Sequence, residues 1–389
     1  MGMKLLYVIG SMEVGGAERH LLRITSDLVK IGHDVQVFAF QPEGPLAPIF
    51  AERGIPVRGF YAPSWLCRLI PHHRTRVRLC LLLSMPCLLR VLWERRPDLI
   101  HFFLPAAYII GGLISLIGPS CIRIMSRRSL NYYQLKRPLF AKLERWLHPK
   151  MDMVTGNSRA VVDQLEAEGV SKDSLRLIYN GIDISFFNKA RDRHMVREQF
   201  GISDTCLVMT MVANLIPYKG HSDLIQACAY MKNRMPSDWV ILLVGRNDGI
   251  QGDLEGQARR LNVTEHLRFL GSRRDIPSLL SASDIGILCS HEEGFSNAVL
   301  EAMAAALPMV VTDVGGNAEA VVHGETGFVV PARQPAMLAE AILSVVHDEN
   351  RHLMGLKGQA RVGKEFSLSV CRAGYESMYA DAMAKKLAQ

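Results

Sequence analysis

The sequence predicts an α/β protein built from two doubly wound parallel-sheet domains. Three observations predict it. Apolar runs of strand length alternate with helix-length segments along the whole chain, the pattern of parallel strands joined by helical crossovers. That alternation reaches a turn-rich junction at Tyr179-Asn-Gly-Ile-Asp183 and then starts afresh. The chain has 389 residues, too many for one ordinary domain. We therefore place a first domain over 1–184, a second over 185–366 and a terminal helical segment over 367–389.

The first half begins with a buried strand over 5–9, a glycine turn and a helix from about 17 to 31 that Gly32 ends. Further strands follow over 34–40 and 98–103, with a helix over 106–116. Short strands over 122–125 and 153–155 precede a helix that Ser158 caps and that runs to about 168. In the second half strands fall at 207–212, 239–245, 267–271, 285–288 and 309–313. Helices fall at about 222–235, 254–261, 276–281, 297–306 and 334–347, with a last one beyond 369. Paired domains of this kind bind ligands at the carboxyl ends of their strands.

Composition narrows the class. Apolar residues make up 49% and charged residues 21%, as in a globular protein with a large core. The longest apolar stretch, 79–93, contains Pro86 and Arg90, so no membrane-spanning helix is expected. The first residues are too short for a signal peptide and read as a strand. Eight scattered cysteines without a Cys-x-x-Cys pair point to reduced thiols in a cytoplasmic protein, with neither disulfides nor a zinc site. Charge is uneven: from Arg53 to Lys150 there are 17 Lys/Arg against three acids, a balance of +14 in a chain of net +7. A basic first domain suggests an anionic partner. Trp65, Leu66, Leu69 and Ile70 lie beside Arg68 and Arg74-Thr-Arg-Val-Arg78, which reads as a segment for an anionic membrane surface. Nucleic acid is disfavoured because no aromatic residues interleave with the Arg74–Arg78 cluster.

The chemistry concentrates in three motifs. Glu293-Gly-Phe-Ser-Asn-Ala-Val-Leu-Glu301 puts two carboxylates beside one helix N-terminus, with Ser296 or Asn297 as the cap. Free backbone N–H groups and the positive dipole end between them suit a phosphate, and the carboxylates suit hydroxyls on either side of it. On spacing alone, two solvated glutamates at a helix start fit better. Gly10-Ser-Met-Glu-Val-Gly-Gly-Ala-Glu-Arg19 follows the first strand, and Gly15 and Gly16 would let backbone approach a ligand; a plain strand–helix turn explains them equally. The spacing is not that of a dinucleotide fingerprint. Met211-Val-Ala-Asn-Leu-Ile-Pro-Tyr-Lys-Gly-His221 takes the matching place in the second half and offers Lys219 as a point charge for a diphosphate.

These motifs occur in order with Asn180-Gly-Ile-Asp183, Phe269-Leu-Gly-Ser, Gly315-Gly-Asn-Ala-Glu and Gly324-Glu-Thr-Gly-Phe. The ordered set resembles the retaining nucleotide-sugar glycosyltransferases of glycosyltransferase family 4, which have the two-domain GT-B fold with Rossmann-like halves. The resemblance implies a second domain that binds the nucleotide-sugar donor and a first that binds a glycan or lipid-linked acceptor. It implies that Glu293 contacts the transferred sugar, with Gly294, Phe295, Ser296 and Asn297 around sugar and phosphates, and that Glu301 accepts from the ribose. Lys219 would hold the diphosphate, Gly15 and Gly16 would close over it, and Leu270 and Gly271 would line the base. The terminal helix would cross back onto the first domain. The nucleotide-sugar is a substrate, so no cofactor is implied.

Two positions depart from the family pattern. An arginine common before the Lys219 motif is Asn214 here, for which Arg246 is a candidate substitute. A family histidine at the acceptor-side strand end is Phe103, leaving His101 two residues deeper. The chemistry still works without a side-chain nucleophile: Lys219, amides and the helix dipole stabilise the leaving diphosphate, and the acceptor attacks from the same face, with retention. No Asp-x-Asp occurs, so no divalent metal is expected. An epimerase or phosphorylase on the same fold and a non-catalytic nucleotide-sugar binder are the alternative readings.

Overall fold

The computed structural model describes residues 2–63, 72–135, 137–188 and 193–387. The chain forms two compact units, Met1–Tyr179 with Cys371–Gln389, and Asn180–Val370. The division therefore falls a few residues from the sequence-based boundaries. The terminal helix Leu368–Leu387 joins the first unit from Cys371 onward.

The first unit holds seven strands: β1 (Lys4–Ser11), β2 (Asp34–Gln41), β3 (Val57–Arg58), β4 (Leu99–Phe103), β5 (Ile122–Arg127), β6 (Met153–Gly156) and β7 (Leu175–Leu177). Their order is β3-β2-β1-β4-β5-β6-β7 and every pairing is parallel. The central strands are buried on both faces, so they read as continuous apolar runs. Side chains alternate between the faces. Leu6, Val8, Ile100 and Phe102 pack with Leu88 and Leu92 of the helix His73–Arg95, Tyr108 of Pro105–Leu116 and Leu147 of Pro138–Leu147. Tyr7, His101 and Phe103 face the other way; Tyr7 and His101 meet Tyr379 of the terminal helix, and His101 also meets Tyr375.

The second unit holds β8 (Leu207–Val212), β9 (Trp239–Val244), β10 (Leu267–Gly271), β11 (Ile285–Leu288), β12 (Met309–Thr312) and β13 (Gly327–Val330). Their order is β10-β9-β8-β11-β12-β13, again all parallel. In each unit the strand order reverses once, between β1 and β4 and between β8 and β11. Crossovers leave in opposite directions at such a point and open a crevice outside the strand ends.

The 73–95 stretch forms one helix despite Pro86, and among the described residues no helix is long and apolar enough to cross a membrane. Of the basic segment expected to lie on a membrane, Trp65, Leu66, Arg68, Leu69 and Ile70 are outside the described residues. Arg76 is half-buried and Arg78 exposed. All described cysteines are free thiols.

Candidate active site

In the second unit the residues singled out from sequence sit on consecutive strand ends. Asn214 and Lys219 follow β8, Arg246 follows β9, Leu270 and Gly271 end β10, and Glu293 to Glu301 follow β11. Two strand spacings separate β8 from β10, roughly 10 Å. That row is long enough for a ligand with several chemically distinct parts.

Its centre is an ion pair at the strand-order reversal. Lys219 Nζ donates to Glu293 Oε1 at 2.6 Å, and the Ser290 hydroxyl donates to the same oxygen at 2.8 Å. Both side chains are partly exposed, at 19% and 11%. Ser296 caps the helix Asn297–Ala304, its hydroxyl accepting from Val299 N–H, so the first turn of that helix opens beside the Glu293 loop. Glu301 lies in the second turn of this helix and is buried, and Phe295 packs on Phe366.

Glycines set the close approaches. Gly220 follows Lys219 at φ +78°, and a Cβ there would lie 1.9 Å from Cys289 O. Gly315 has φ +53°, and its Cβ would lie 2.1 Å from Glu293 O. Gly316 N–H donates to Gly294 O at 2.7 Å. A side chain at Gly220 would push apart the two loops that carry the ion pair, and one at Gly315 would displace the Glu293 loop.

Sequence reasoning missed the supporting residues. Asn180 Nδ2 donates to Phe295 O at 2.7 Å and to Asn297 Oδ1 at 2.9 Å, tying the start of the unit to the capped loop. His291 Nε2 pairs with Asp223 at 2.7 Å, and His291 N–H donates to Tyr218 O. Burial, and then the Lys219 charge, lower the His221 pKa to about 4, so this ring is neutral beside the lysine. The motifs containing Asn180 and Gly315 were visible in the sequence, but their contacts lie more than a hundred residues away or across a loop.

Arg246, the candidate for the place of the absent arginine, stands on the loop after β9. Its guanidinium, 58% exposed, is paired with Asp248 at 2.8 Å. Asn214 Oδ1 accepts from the Arg246 backbone N–H at 3.1 Å, so Asn214 ties two loops together. At Leu270 the β10 register shifts, a bulge that turns the chain before Gly271 at φ +64°.

The first unit's reversal point differs in kind. Gly15 caps the helix Gly16–Lys30 in an extended conformation open to any residue. A Cβ on it would lie 2.2 Å from Glu18 Oε2, so this glycine makes room for the chain's own carboxylate at the helix start. Burial holds that carboxyl above its ordinary range. His101 and Phe103, the acceptor-side positions of the sequence reading, are both fully buried, and His101 is a core histidine. His101 bonds the Tyr379 hydroxyl at 2.9 Å through Nδ1 and the Ser126 hydroxyl at 2.7 Å through Nε2. Tyr7 and Tyr379 share a hydrogen bond of 2.6 Å. His20 stands beside Phe103 and bonds Tyr375 at 3.2 Å. Burial, reinforced by Arg128, pushes the pKa of both histidines well below the ordinary value, so both are neutral.

The family model described as Glycosyltransferase Family 4 matches residues 14–186, and the one described as Glycosyl transferases group 1 matches 192–361. The chain is 28% identical over 247 residues to the N-acetyl-alpha-D-glucosaminyl L-malate synthase of Bacillus anthracis, covering 63% of this chain and 64% of that one. It thus spans a little under two thirds of that relative. It is 25% identical to the UDP-Gal:alpha-D-GlcNAc-diphosphoundecaprenol alpha-1,3-galactosyltransferase of Escherichia coli, covering 85% of each. In three dimensions it is similar to HepE of Anabaena in complex with UDP, with TM-score 0.83 at 24% identity, over 97% of this chain and 100% of that one. One match covers the sheet of each unit, and the chain belongs to the glycosyltransferases of the GT-B fold.

Proposed function

We propose that the protein transfers a sugar from a nucleotide-sugar, held by the second unit, to a hydroxyl of a lipid-linked or polysaccharide-precursor acceptor held by the first. The observation that carries this reading is the Lys219–Glu293 pair at the reversal between β8 and β11, beside a capped helix N-terminus. Lysine has three N–H donors, and Glu293 occupies one, which leaves donors for a diphosphate. Both recorded bonds to Glu293 fall on Oε1, so Oε2 is the oxygen suited to a sugar hydroxyl. As the diphosphate departs, negative charge builds where the ammonium and the helix N–H groups already point, and no group need move to meet it. The acceptor attacks from the leaving-group face and loses its proton to the departing phosphate, which retains the anomeric configuration.

The reaction we propose needs no metal, since the Lys219 ammonium and the helix N–H groups meet the charge of the leaving diphosphate. The protein would work in the cytoplasm, attached peripherally to the inner face of the membrane that carries its acceptor. The relatives support the donor and acceptor classes: one is named for UDP-Gal and a diphosphoundecaprenol acceptor, and HepE is bound to UDP.

The test is a thermal-shift screen of nucleoside diphosphates and nucleotide-sugars, followed by turnover with the donor it finds. A ligand specific to the folded state raises the melting temperature. Glu293→Gln should retain nucleoside diphosphate binding and lose turnover, and the product should keep the donor's anomer in the presence of a chelator. No nucleotide response, an inverted product or strict dependence on Mg2+ or Mn2+ would each break the corresponding part of the reading. Donor consumption without an acceptor, or only with inorganic phosphate, would assign an epimerase or a phosphorylase instead.

A further inference from the structure

The helix Pro138–Leu147 of the first unit is amphipathic and lies the inverted way round. Leu139, Leu143 and Trp146 form one stripe at i, i+4 and i+7, and they are exposed by 72%, 37% and 51%. The buried side carries Ala141, Glu144 and Leu147. A helix ordinarily buries its larger apolar stripe, so something holds this one outward.

That something is Glu144. It is fully buried, accepts from the Tyr133 hydroxyl at 2.8 Å and from Gln134, and faces Arg127 at 3.4 Å. Arg127 is itself buried and bonded to Glu168. Leu147 fits against Gly112, where a Cβ would lie 3.3 Å from its methyl group. Rolling the helix to cover the leucines would carry Glu144 out and leave Arg127 without this partner.

The same lock sorts the charges. The only acid of the helix is turned inward, so its outer side is cationic, with Lys142 and Arg145 exposed beside the stripe. Lys150 follows, its ammonium 4.0 Å over the Trp146 ring. An exposed apolar stripe to whose outer side its own helix adds only cations complements a surface that is anionic outside and apolar beneath. A second copy of this chain fits poorly, because a two-fold contact would set cation against cation.

We propose that the face formed by Leu139, Leu143 and Trp146 with Lys142, Arg145 and Lys150 is where the protein rests on an anionic lipid bilayer. This names the surface for the membrane attachment proposed above and rests on that reading. The leucines and the tryptophan enter the acyl boundary, and the cations meet lipid phosphates.

Co-sedimentation of the full chain with vesicles of phosphatidylcholine, alone or mixed with phosphatidylglycerol, tests it. The wild type should sediment with the mixed vesicles and be released by salt. The triple variant Leu139→Ser/Leu143→Ser/Trp146→Ser and the double variant Lys142→Ser/Arg145→Ser should each bind roughly tenfold less. Both should keep the wild-type thermal shift with UDP, which shows that they fold. Quenching of tryptophan fluorescence by brominated lipid should drop in Trp146→Phe. Variants that sediment like the wild type would overturn the proposal. So would a wild-type dimer in sedimentation velocity that the triple variant dissolves, since the face would then belong to a second copy. Vesicle binding without any nucleotide response would keep this surface and break the transferase reading; a nucleotide response without vesicle binding would do the reverse.

Discussion

The two strand-order reversals share one topology and differ in everything that topology leaves open. Between β8 and β11 the side chains are polar and reachable: Lys219 forms an ion pair with Glu293, and His291 is hydrogen-bonded to Asp223. Between β1 and β4 they are aromatic and buried: Tyr7, His101, Phe103, and above them Tyr375 and Tyr379, with charge at the edge in Glu18 and Arg128. At one helix start a serine caps and the loop beside it carries the site glutamate; at the other Glu18 lies over its own cap. A crevice outside parallel strands is thus an opportunity, and the side chains decide whether it is used for charge or filled as core.

Breaking the ionic side should have the largest effect. Lys219→Ala removes the cation aimed at the leaving diphosphate, and we expect turnover to fall by about 10²–10³-fold, as when a transition-state donor is lost. Steady-state kinetics with saturating donor checks it. A loss of affinity with unchanged turnover would move Lys219 from the reaction to ground-state binding.

The aromatic side should answer in stability and not in donor binding. Tyr379→Phe leaves the Tyr7 hydroxyl and His101 Nδ1 short of a partner in a dry interior, a cost of about 1–3 kcal/mol. Denaturant unfolding followed by a probe in the first unit should register it, while the nucleotide thermal shift stays as in the wild type. Reduced nucleotide response in this variant would show that the contrast between the two regions is drawn too sharply.

Acid should weaken both regions. His20 and His101 have pKa values well below those of the unfolded chain, so below about pH 6.5 the unfolded state takes up protons that the folded state refuses. Their contribution is therefore fully present above that pH and is lost on acidification, at up to about 1.4 kcal/mol per pH unit for each histidine. His221 does the same in the second unit between pH 6.5 and about 4. His101→Gln should flatten the acid limb of the stability profile. An unchanged limb would mean that other groups govern it.

The smallest effect should come from the cap. Ser296→Ala removes the hydroxyl that accepts from Val299 N–H and should cost about 1 kcal/mol of stability. If the N–H groups it orders also receive phosphate, nucleoside diphosphate affinity should fall with it; titration calorimetry would tell the two apart.

The alternation of strands and helices, the restart after Tyr179 and the position of the Glu293 loop before a helix were all legible in the chain. Parallel strands are buried on both faces and must be apolar runs, and capping is a local affair of a few residues. The helix Arg351–Glu365 and the short strands β3, β7 and β13 were not legible. Short elements carry too little pattern, and that helix draws its packing from distant partners, as when Gly355 lies against Ala306. Side-chain direction was beyond sequence as well. That Arg246 pairs with Asp248 two residues on and that His101 points into the core are matters of direction that residue type leaves open.

What the sequence by itself determined is the order of elements and the chemistry available at each strand end, because both follow from local pattern and residue type. What only the tertiary structure decided is which of those groups meet. Lys219 reaches Glu293 because β8 and β11 are neighbours in the sheet though seventy-odd residues apart in the chain. Leu139, Leu143 and Trp146 face outward because a buried Arg127–Glu144–Glu168 cluster fixes the rotation of their helix, and a helix's own periodicity cannot say which of its faces the rest of the protein will hold.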